Sequence, residues 1–332
     1  MKILAIETSC DETAISLVET KSASKKTQFK ILGNKIASQI ELHAQYGGVF
    51  PMMAKREHIK NLPIVFDQVL KQAKIKIEKV DAIAVTVGPG LEPALWTGIV
   101  FAKELSEKYG IPIVPVNHME GHIFSIFPKK GKTFIVDAQD KVLPALSLLV
   151  SGGHTELVYI KDWMKYKKIG QTRDDAAGEA FDKVARMLEL PYPGGPQVSK
   201  LADTERRHIA SGTLAQADIT LPRPMIHTKD YDFSFSGLKT AVLYTIRDLP
   251  KGAFDDNMKA KIAREFEDAV VDVLSTKTIR AIKTYKIKNL IVGGGVSANT
   301  YLQKVLKDKI KKEKLKTTIH FPVNSLTGDN AL

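Results

Sequence analysis

Two stretches of the chain show the same alternation of apolar strands with a polar turn. Lys2 to Val18 predicts an apolar strand, a polar turn and an alternating strand, and Leu146 to Ile160 repeats this pattern. An offset of 142 residues places Ser9 on Ser151, so that both turns carry a hydroxyl residue at the same point. The repetition indicates two related hairpins.

A second pattern also occurs twice, as an apolar strand, a glycine-rich loop and a helix. In the first copy the strand covers Val80 to Val87 and the helix covers Ala94 to Lys108. In the second copy the strand covers Asn289 to Val292 and the helix covers Ala298 to Lys312. Each half therefore runs from a hairpin through helices to this unit, which predicts a duplicated α/β architecture with a cleft between the halves.

The divide between the halves is expected in the polar stretch Pro128 to Asp140. This gives an N-terminal domain over residues 1–135 and a C-terminal domain over residues 141–332. Within the second domain, Gly170 to Pro250 predicts several short helices, and Ala260 to Tyr285 predicts a long amphipathic helix.

Three glycine-rich turns are candidates for phosphate binding, because a turn without side chains lets backbone N–H groups approach phosphate oxygens. They are Ser151-Gly152-Gly153, Gly194-Gly195 and Gly293-Gly294-Gly295. None of them fits G-x-x-x-x-G-K-[ST] or G-x-G-x-x-G. The alternative is that these glycines only turn the chain.

A pair of histidines has the spacing of metal ligands. His118 and His122 are four residues apart, which places both imidazoles on one helix face. Asp329, which follows the apolar segment Ile319 to Val323, could supply a third ligand, and two histidines with one carboxylate suit iron(II) or zinc. The zincin order H-E-x-x-H is absent, because the glutamate is Glu120. Two structural histidines are the alternative.

An acidic cluster lies between Asp174 and Lys183. Asp175 and Glu179 are four residues apart and Glu179 and Asp182 are three apart, so these carboxylates share a helix face. Two interpretations stay open. The acids could stabilise a helix N-terminus, or they could bind ribose hydroxyls or a metal-held phosphate.

Composition and charge narrow the class of partner and of chemistry. The chain has 49 Lys+Arg against 37 Asp+Glu, and this net charge of +12 favours a polyanion such as nucleic acid. Lys304 to Lys316 contributes seven lysines, for which a solvated helix face is the alternative.

The single cysteine, Cys10, indicates a cytoplasmic protein, and no stretch is apolar for long enough to span a membrane. Covalent catalysis is not expected, because Asp11 and Glu12 raise the pKa of the Cys10 thiol and G-x-S-x-G is absent.

Seven motifs resemble the bacterial TsaD family in their order and spacing. They are Glu7-Thr8-Ser9-Cys10-Asp11-Glu12-Thr13, His118-x-x-x-His122, Leu149 to Thr155, Asp174 to Lys183, Tyr192 to Pro196, Phe233 to Lys239 and Gly293 to Asn299. The resemblance extends from Met1 to Asn330. It implies two duplicated actin-like, sugar-kinase-like (ASKHA) domains with a nucleotide-binding cleft between them, to which the last residues of the chain return.

The resemblance also implies an activity and its ligands. Proteins of this family are metal-dependent acyltransferases, which move the threonylcarbamoyl group of threonylcarbamoyl-adenylate to N6 of the adenosine just 3′ of the anticodon. Their tRNAs read codons that begin with A. The implied metal is iron(II), with zinc(II) as the alternative, and its implied ligands are His118, His122 and Asp329. The implied adenylate contacts, where ATP or AMP could also bind, are Leu149, Val150, Ser151, Gly152, Gly153, Asp182, Gly195 and Asn299.

The motifs leave the general base unassigned, and Asp11 and Glu12 are our candidates for it. Ser199 departs from the pattern, since some relatives carry an aspartate there. The expected partners are tRNA, a TsaB-like paralogous subunit and a TsaE-like ATPase, since the chain has no P-loop of its own. The alternative functions are a metallopeptidase and a non-catalytic nucleotide-binding subunit of the same fold, although that subunit would lack the histidine pair.

Overall fold

The chain folds into two compact units, each with its own β-sheet. The computed structural model describes residues 1–23, 25–128, 131–137, 142–211 and 219–332. One unit comprises Met1–Lys141 together with Phe321–Leu332, and the other comprises Val142–His320. Within the stretch where the divide is expected, residues 129–130 and 138–140 lie outside the described residues.

The first unit is built on a six-stranded mixed sheet in the order β5-β4-β1-β2-β3-β6. Its strands are β1 (Lys2–Glu7), β2 (Glu12–Ala23), β3 (Lys26–Ser38), β4 (Ala82–Gly88), β5 (Ile113–Asn117) and β6 (Thr133–Asp137). Its helices are α1 (Ile40–Ala44), α2 (Pro51–Ala73), α3 (Glu92–Tyr109) and α4 (His118–Phe124). Strand β1 runs antiparallel to β2 and parallel to β4, and β4 runs parallel to β5.

Helix α2 contributes to the core of the first unit, because its apolar residues recur every three or four positions. Leu62, Val65 and Val69 are buried on α2 and pack in one cluster with Leu4 and Ile6 of β1. Since β1, β4 and β5 are parallel neighbours, the loops that follow them leave the same edge of this sheet.

The second unit is built on a five-stranded sheet in the order β11-β10-β7-β8-β9. Its strands are β7 (Ala145–Val150), β8 (Thr155–Asp162), β9 (Lys165–Gln171), β10 (Asn289–Gly293) and β11 (Thr318–His320). Its helices are α5 (Ala177–Met187), α6 (Gly194–Ala210), α7 (Ser236–Arg247), α8 (Asp256–Tyr285) and α9 (Thr300–Lys312).

The two sheets share one plan for five strands, and β6 of the first sheet has no counterpart among the described strands of the second. In each, the first strand pairs antiparallel with the second and parallel with the fourth. Glu7 faces Ala14 in the first hairpin, and Leu149 faces Glu156 in the second, 142 residues later on both strands. The predicted duplication and its offset are therefore confirmed. The structure adds a third antiparallel strand to each hairpin, β3 and β9, where the sequence predicted helices to follow directly.

Helix α8 begins four residues before its predicted start and is more central than an amphipathic surface helix. Of its 30 residues 18 are buried, among them the charged Glu267 and Lys277. It packs against α6, α7, α9 and β7, which explains why it is covered on more than one side. Neither α8 nor any other helix of the described residues is long and apolar enough to cross a membrane.

Candidate functional site

The predicted histidine pair lies on α4, directly after β5. The side chain of Asn117 accepts hydrogen bonds from the backbone N–H groups of Met119 (2.9 Å) and Glu120 (3.3 Å). This cap starts the helix at His118. His118 and His122 are consequently one turn apart on the same face, with their ring centroids separated by 4.5 Å.

The structure brings Asp329 to this pair, as the sequence predicts. Asp329 Oδ1 lies 3.5 Å from Nε2 of His118 and 3.5 Å from Nε2 of His122. One ligand atom of each residue lies within 4.8 Å of the other two, so the group could hold a metal ion. Ligands about 2.1 Å from one ion are roughly 3–3.5 Å apart, and the two distances from Asp329 to the histidines match that spacing.

Glu7 orients the imidazole of His118 from the opposite side. Its Oε2 lies 3.3 Å from His118 Nδ1, and the Ser9 hydroxyl lies 3.2 Å from the same nitrogen. A carboxylate only accepts, so Nδ1 carries a proton and Nε2 is directed to Asp329. Burial lowers the pKa of His118, but the hydrogen bond to Glu7 and the charges of Asp329 and Glu7 outweigh it and raise the pKa to about 9. Surroundings that stabilise an imidazolium cation also favour a metal cation.

His122 gives the clearest test of whether these residues fit a metal. Its side chain is 4% exposed, and its Nε2 forms no hydrogen bond with any described residue. A buried nitrogen that makes no hydrogen bond is costly, and coordination to a metal would remove that cost. The donor set therefore fits a metal ion.

The two acids proposed as the base are Asp11, in the loop between β1 and β2, and Glu12, the first residue of β2. The Ser9 N–H donates to Glu7 Oε1 at 2.5 Å, which anchors the start of the loop. Burial raises the pKa of Glu12 to about 9, and the charge of Asp11 and a hydrogen bond with Asp11 add to this. Burial, followed by the charge of Asp11, also raises the pKa of Cys10, so that the thiol is a poor nucleophile, as expected.

In the second unit, the equivalent turn follows β7. Leu149 and Val150 are the last residues of that strand and are buried, whereas Ser151, Gly152 and Gly153 form the turn. A Cβ atom added at Gly152 or at Gly153 would meet no other atom within 4 Å. The two glycines therefore present their backbone to open space, as a phosphate-binding turn requires.

Two other glycines allow neighbouring segments to approach this turn. A Cβ at Gly178, in α5, would lie 2.6 Å from the Ser151 carbonyl oxygen. A Cβ at Gly294, after β10, would overlap the Val150 carbonyl oxygen, and Gly294 has φ +87°. Only glycine fits at either position. The loop after β7 is therefore held between the start of α5 and the loop after β10.

Asp182 and Gly195 lie beside each other where α5 meets α6. The Gly194 N–H donates to Asp182 Oδ1 at 2.8 Å. A Cβ at Gly194 would clash with α5, whereas a Cβ at Gly195 would come no closer than 3.9 Å, to Phe181. Gly194 thus closes the contact between the helices and Gly195 stays open.

Asn299 belongs to a partly buried polar network that the sequence did not predict. Its Nδ2 donates to Ser199 Oγ (2.9 Å) and to Glu267 Oε1 (2.7 Å), and its Oδ1 accepts from Leu302 N–H. Arg206 donates to the other oxygen of Glu267 at 2.5 Å. Both amide hydrogens of Asn299 are used, so an adenylate contact through them would replace one of these bonds. The sequence signal that could have indicated this network is Glu267, a charged residue at a buried position of α8.

Asp174, the first acid of the acidic cluster, caps a helix other than the one that the cluster enters. Asp174 accepts hydrogen bonds from the hydroxyl groups of Ser234 (2.5 Å) and Ser236 (2.8 Å), and from the N–H groups of Phe235 (2.8 Å) and Ser236 (3.2 Å). These residues begin α7. Although burial raises it, the pKa of Asp174 is lowered by these hydrogen bonds. The capping interpretation therefore accounts for Asp174, but at α7 rather than α5.

Sequence comparisons decide between the functions left open above. The family profile described as "TsaD: tRNA N6-adenosine threonylcarbamoyltransferase" matches residues 30–332. The chain belongs to the TsaD family. A family member from Staphylococcus epidermidis is 44% identical over 330 residues, which is 99% of this chain and 88% of the relative. One from Persephonella marina is 44% identical over 333 residues, 99% and 87% of the respective chains. Both relatives carry the same transferase name. Membership of the TsaD family therefore favours the transferase over the metallopeptidase and the non-catalytic binding subunit.

Comparison with solved structures agrees with the TsaD fold. The crystal structure of T. kodakarensis HypF superimposes with a TM-score of 0.57 at 12% identity, covering 99% of this chain and 46% of HypF. A second structure of HypF, bound to phosphate and nucleotide, gives a TM-score of 0.56 at 14% identity. At these identities the likeness concerns the fold alone.

Proposed function

We propose that this TsaD-family chain transfers the threonylcarbamoyl group from threonylcarbamoyl-adenylate to N6 of an adenosine in tRNA. The acceptor is the adenosine just 3′ of the anticodon in tRNAs that read codons beginning with A. The match of the TsaD profile over residues 30–332 carries this proposal. The arrangement of the histidines and acids in the first unit supports it.

The reaction is an acyl transfer from an activated anhydride. The N6 amine attacks the carbamoyl carbon, a C–N bond forms, and the bond from that carbon to the phosphate oxygen breaks. AMP leaves with the electron pair, and the N6 proton passes to a base. Because AMP is a good leaving group, the protein mainly has to orient the two substrates and accept this proton.

Asp11 and Glu12 together are the proposed base. Two carboxyl groups in contact do not both ionise readily, so such a pair holds one proton between them. The raised pKa of Glu12 supports this interpretation. The ionised member of the pair then accepts the proton from N6.

We propose His118, His122 and Asp329 as ligands of iron(II), with zinc(II) as the alternative, because two histidines and one carboxylate suit either ion. When bound, the metal supplies Lewis-acid polarisation of a phosphate or carbonyl oxygen. Glu7 keeps the Nδ1 proton of His118 in place, and that leaves Nε2 as the coordinating atom.

The adenylate is proposed to bind the second unit at the turn after β7. Leu149 and Val150 lead into this turn, and the open backbone of Ser151, Gly152 and Gly153 offers N–H groups to its phosphate. Asp182, Gly195 and Asn299, which come from α5, α6 and the start of α9, complete the proposed set. ATP or AMP would occupy the same place.

Helix α9 offers a surface for the tRNA backbone. It buries Leu302, Leu306 and Ile310 along one face. Lysines such as Lys304 and Lys311 lie exposed on the rest of its surface. Lysine side chains on an exposed helix face can neutralise phosphates and release counterions. We therefore propose the segment Lys304 to Lys316 as part of the tRNA-binding surface.

The proposed protein partners are a TsaB-like paralogue and a TsaE-like ATPase. Helices α2 and α3, which pack together, expose large apolar side chains at Met52, Ile59, Trp96 and Val100. Exposed apolar side chains on neighbouring helices are typical of a protein interface, and we assign this one to the paralogue. The single cysteine and the tRNA substrate support a cytoplasmic location.

The activity is tested by incubating tRNA with this protein, both partner proteins, threonine, bicarbonate and ATP. Mass spectrometry of the digested nucleosides should show threonylcarbamoyl-adenosine in tRNAs that read codons beginning with A. A tRNA that reads codons beginning with another base is the control and should stay unmodified. Unmodified adenosine in both tRNAs would contradict the proposed function.

The metal site is tested by replacing both histidines, as His118→Ala/His122→Ala. Elemental analysis of the purified protein should fall from one transition metal per chain to background, because a carboxylate alone binds such ions weakly. His208→Ala, which removes an exposed histidine of α6, should leave the metal content unchanged. Equal metal content in the wild type and the double variant would contradict the assignment of His118 and His122 as metal ligands.

The adenylate site is tested by Gly152→Val. The added side chain enters open space, so the protein should fold normally while the phosphate is kept away from the backbone. Calorimetric titration should show at least about a tenfold loss in affinity for AMP, equivalent to removal of about one hydrogen bond to a charged group. Lys35→Val, an exposed change in the first unit, is the control. Unchanged affinity in Gly152→Val would place the nucleotide elsewhere.

The tRNA surface is tested by the double variant Lys304→Glu/Lys311→Glu. Its affinity for tRNA should fall, and the slope of log affinity against log salt should drop by about 1 for each phosphate that is no longer neutralised. Lys30→Glu/Lys35→Glu changes the net charge equally in the first unit and should retain the wild-type slope. If both double variants behave alike, only the net charge of the protein matters and α9 is not the binding surface.

A further inference from the structure

Three buried polar side chains lie behind the loop that carries Asp11 and Glu12. Gln39 is 4% exposed, and His43 and His58 are not exposed at all. Neither the metal site nor the adenylate site uses them. Buried polar groups are unfavourable unless they are hydrogen-bonded, so the partners of these three residues indicate why they are there.

The hydrogen bonds of His43 fix its tautomer. The backbone N–H of Phe50 lies 3.3 Å from His43 Nδ1, and because an N–H only donates, Nδ1 must accept. A neutral His43 then carries its proton on Nε2. That nitrogen lies 3.2 Å from Gln39 Oε1, which it reaches as a donor.

The chain of hydrogen bonds continues through Gln39 to His58. With its oxygen accepting from His43, Gln39 directs its Nε2 to His58 Nδ1 at 3.3 Å. The Thr13 hydroxyl lies 2.8 Å from the same nitrogen. His58 Nδ1 is therefore an acceptor, and its proton lies on Nε2, which donates to the Cys10 carbonyl at 2.9 Å.

All four links from Phe50 to Cys10 consequently point in the same direction. The next carbonyl of the loop is held as well, because the Gln39 N–H donates to Asp11 O at 3.0 Å. Protonation of His43 or His58 would place an N–H on Nδ1, which now accepts a hydrogen bond, and this N–H would face another donor. Burial lowers the pKa of His43 and His58, against the opposing charges of Asp11, Glu57 and Glu7, and so favours the neutral forms that the chain needs.

We propose that Gln39, His43 and His58 are positioning residues for the transfer reaction. Their directed hydrogen bonds fix the backbone at Cys10 and Asp11 and thereby orient the carboxyl groups of the loop. The catalytic part of this inference rests on the proposed role of Asp11 and Glu12, whereas the structural part does not.

Cys10 is the only cysteine of the chain, so the rate of its modification by a thiol reagent reports the opening of this loop. His58→Leu removes the donor to the Cys10 carbonyl, and loss of one buried hydrogen-bond partner should accelerate labelling of the full-length protein about tenfold. His58→Gln places an amide N–H near the former Nε2 and should restore most of the protection. Leu62→Ala, one turn along α2, is the control for general loosening of the core.

Turnover is measured on the same variants, with AMP affinity and metal content alongside. His58→Leu should lower kcat about tenfold and His58→Gln should recover it. AMP affinity and metal content should match the wild type, because no proposed metal ligand or adenylate contact is a member of the chain of hydrogen bonds. If His58→Leu does not fold, Gln39→Met, which has a similar volume and no amide, takes its place.

Each outcome bears on a different part of the inference. Labelling at the wild-type rate in His58→Leu, or equally fast labelling in Leu62→Ala, would overturn it. Faster labelling with unchanged kcat would retain the hydrogen-bond chain as the support of the loop and would instead remove Asp11 and Glu12 from the reaction. If the wild-type protein does not transfer the threonylcarbamoyl group, the proposed function is wrong. The labelling result would still report on how the loop is held.

Discussion

Glu7 lies at the end of β1, where three donors share its buried carboxylate. They are the N–H of Ser9, the hydroxyl of Thr86 and Nδ1 of His118. These groups belong to the loop after β1, to β4 and to the helix that follows β5, so a single charge connects the three neighbouring strands on which the first site is built. A carboxylate withdrawn from water is costly unless it is paired and hydrogen-bonded. Its partner here is the imidazole of His118. The positive charge that balances Glu7 is either the proton on this imidazole or a metal ion that the imidazole would coordinate. Glu7 therefore holds the start of the acid loop, at Ser9, and the imidazole of His118 at the same time.

The duplicated fold supplies the same sheet edge twice, and the sequence equips the two copies differently. Under the 142-residue offset, Glu7 corresponds to Leu149, and the loop with Asp11 corresponds to the turn with Gly153. The first copy has a buried charge where the second has an apolar side chain. It also has acidic side chains where the second exposes bare backbone. Proton transfer and metal binding suit the first arrangement, and recognition of a phosphate suits the second. One backbone plan thus presents two different sets of groups, because the residues at the strand ends differ between the copies.

Local patterns predicted the elements whose evidence is close together in the chain. The hairpins, the glycine loops and the pair His118 and His122 all have their signal within a few residues, and the structure places them as expected. Strands β3 and β9 were missed because they are rich in lysine and largely half-exposed, so their alternation of apolar and polar residues is weak. The capping of α7 by Asp174 joins residues about 60 positions apart, and no local spacing indicates it. Gln39 and His58 are likewise brought together by the turn between α1 and α2. Asp329 was expected as the third ligand because it follows an apolar segment and because the family resemblance implies it, not because of any spacing near the histidines.

The position of Asp329 in the chain has a consequence for the order in which the protein is made. It joins His118 and His122 within the first unit, yet about 200 residues and the whole second unit separate it from them in the sequence. Domains form as the chain leaves the ribosome, N-terminal parts first. The first sheet can therefore assemble early, with two imidazoles and Glu7 in place, but the three-donor group cannot close until the second unit has been synthesised. The three-donor group thus forms only after the second unit has been synthesised, and a translation product that is interrupted within the second unit retains both histidines but lacks the third donor.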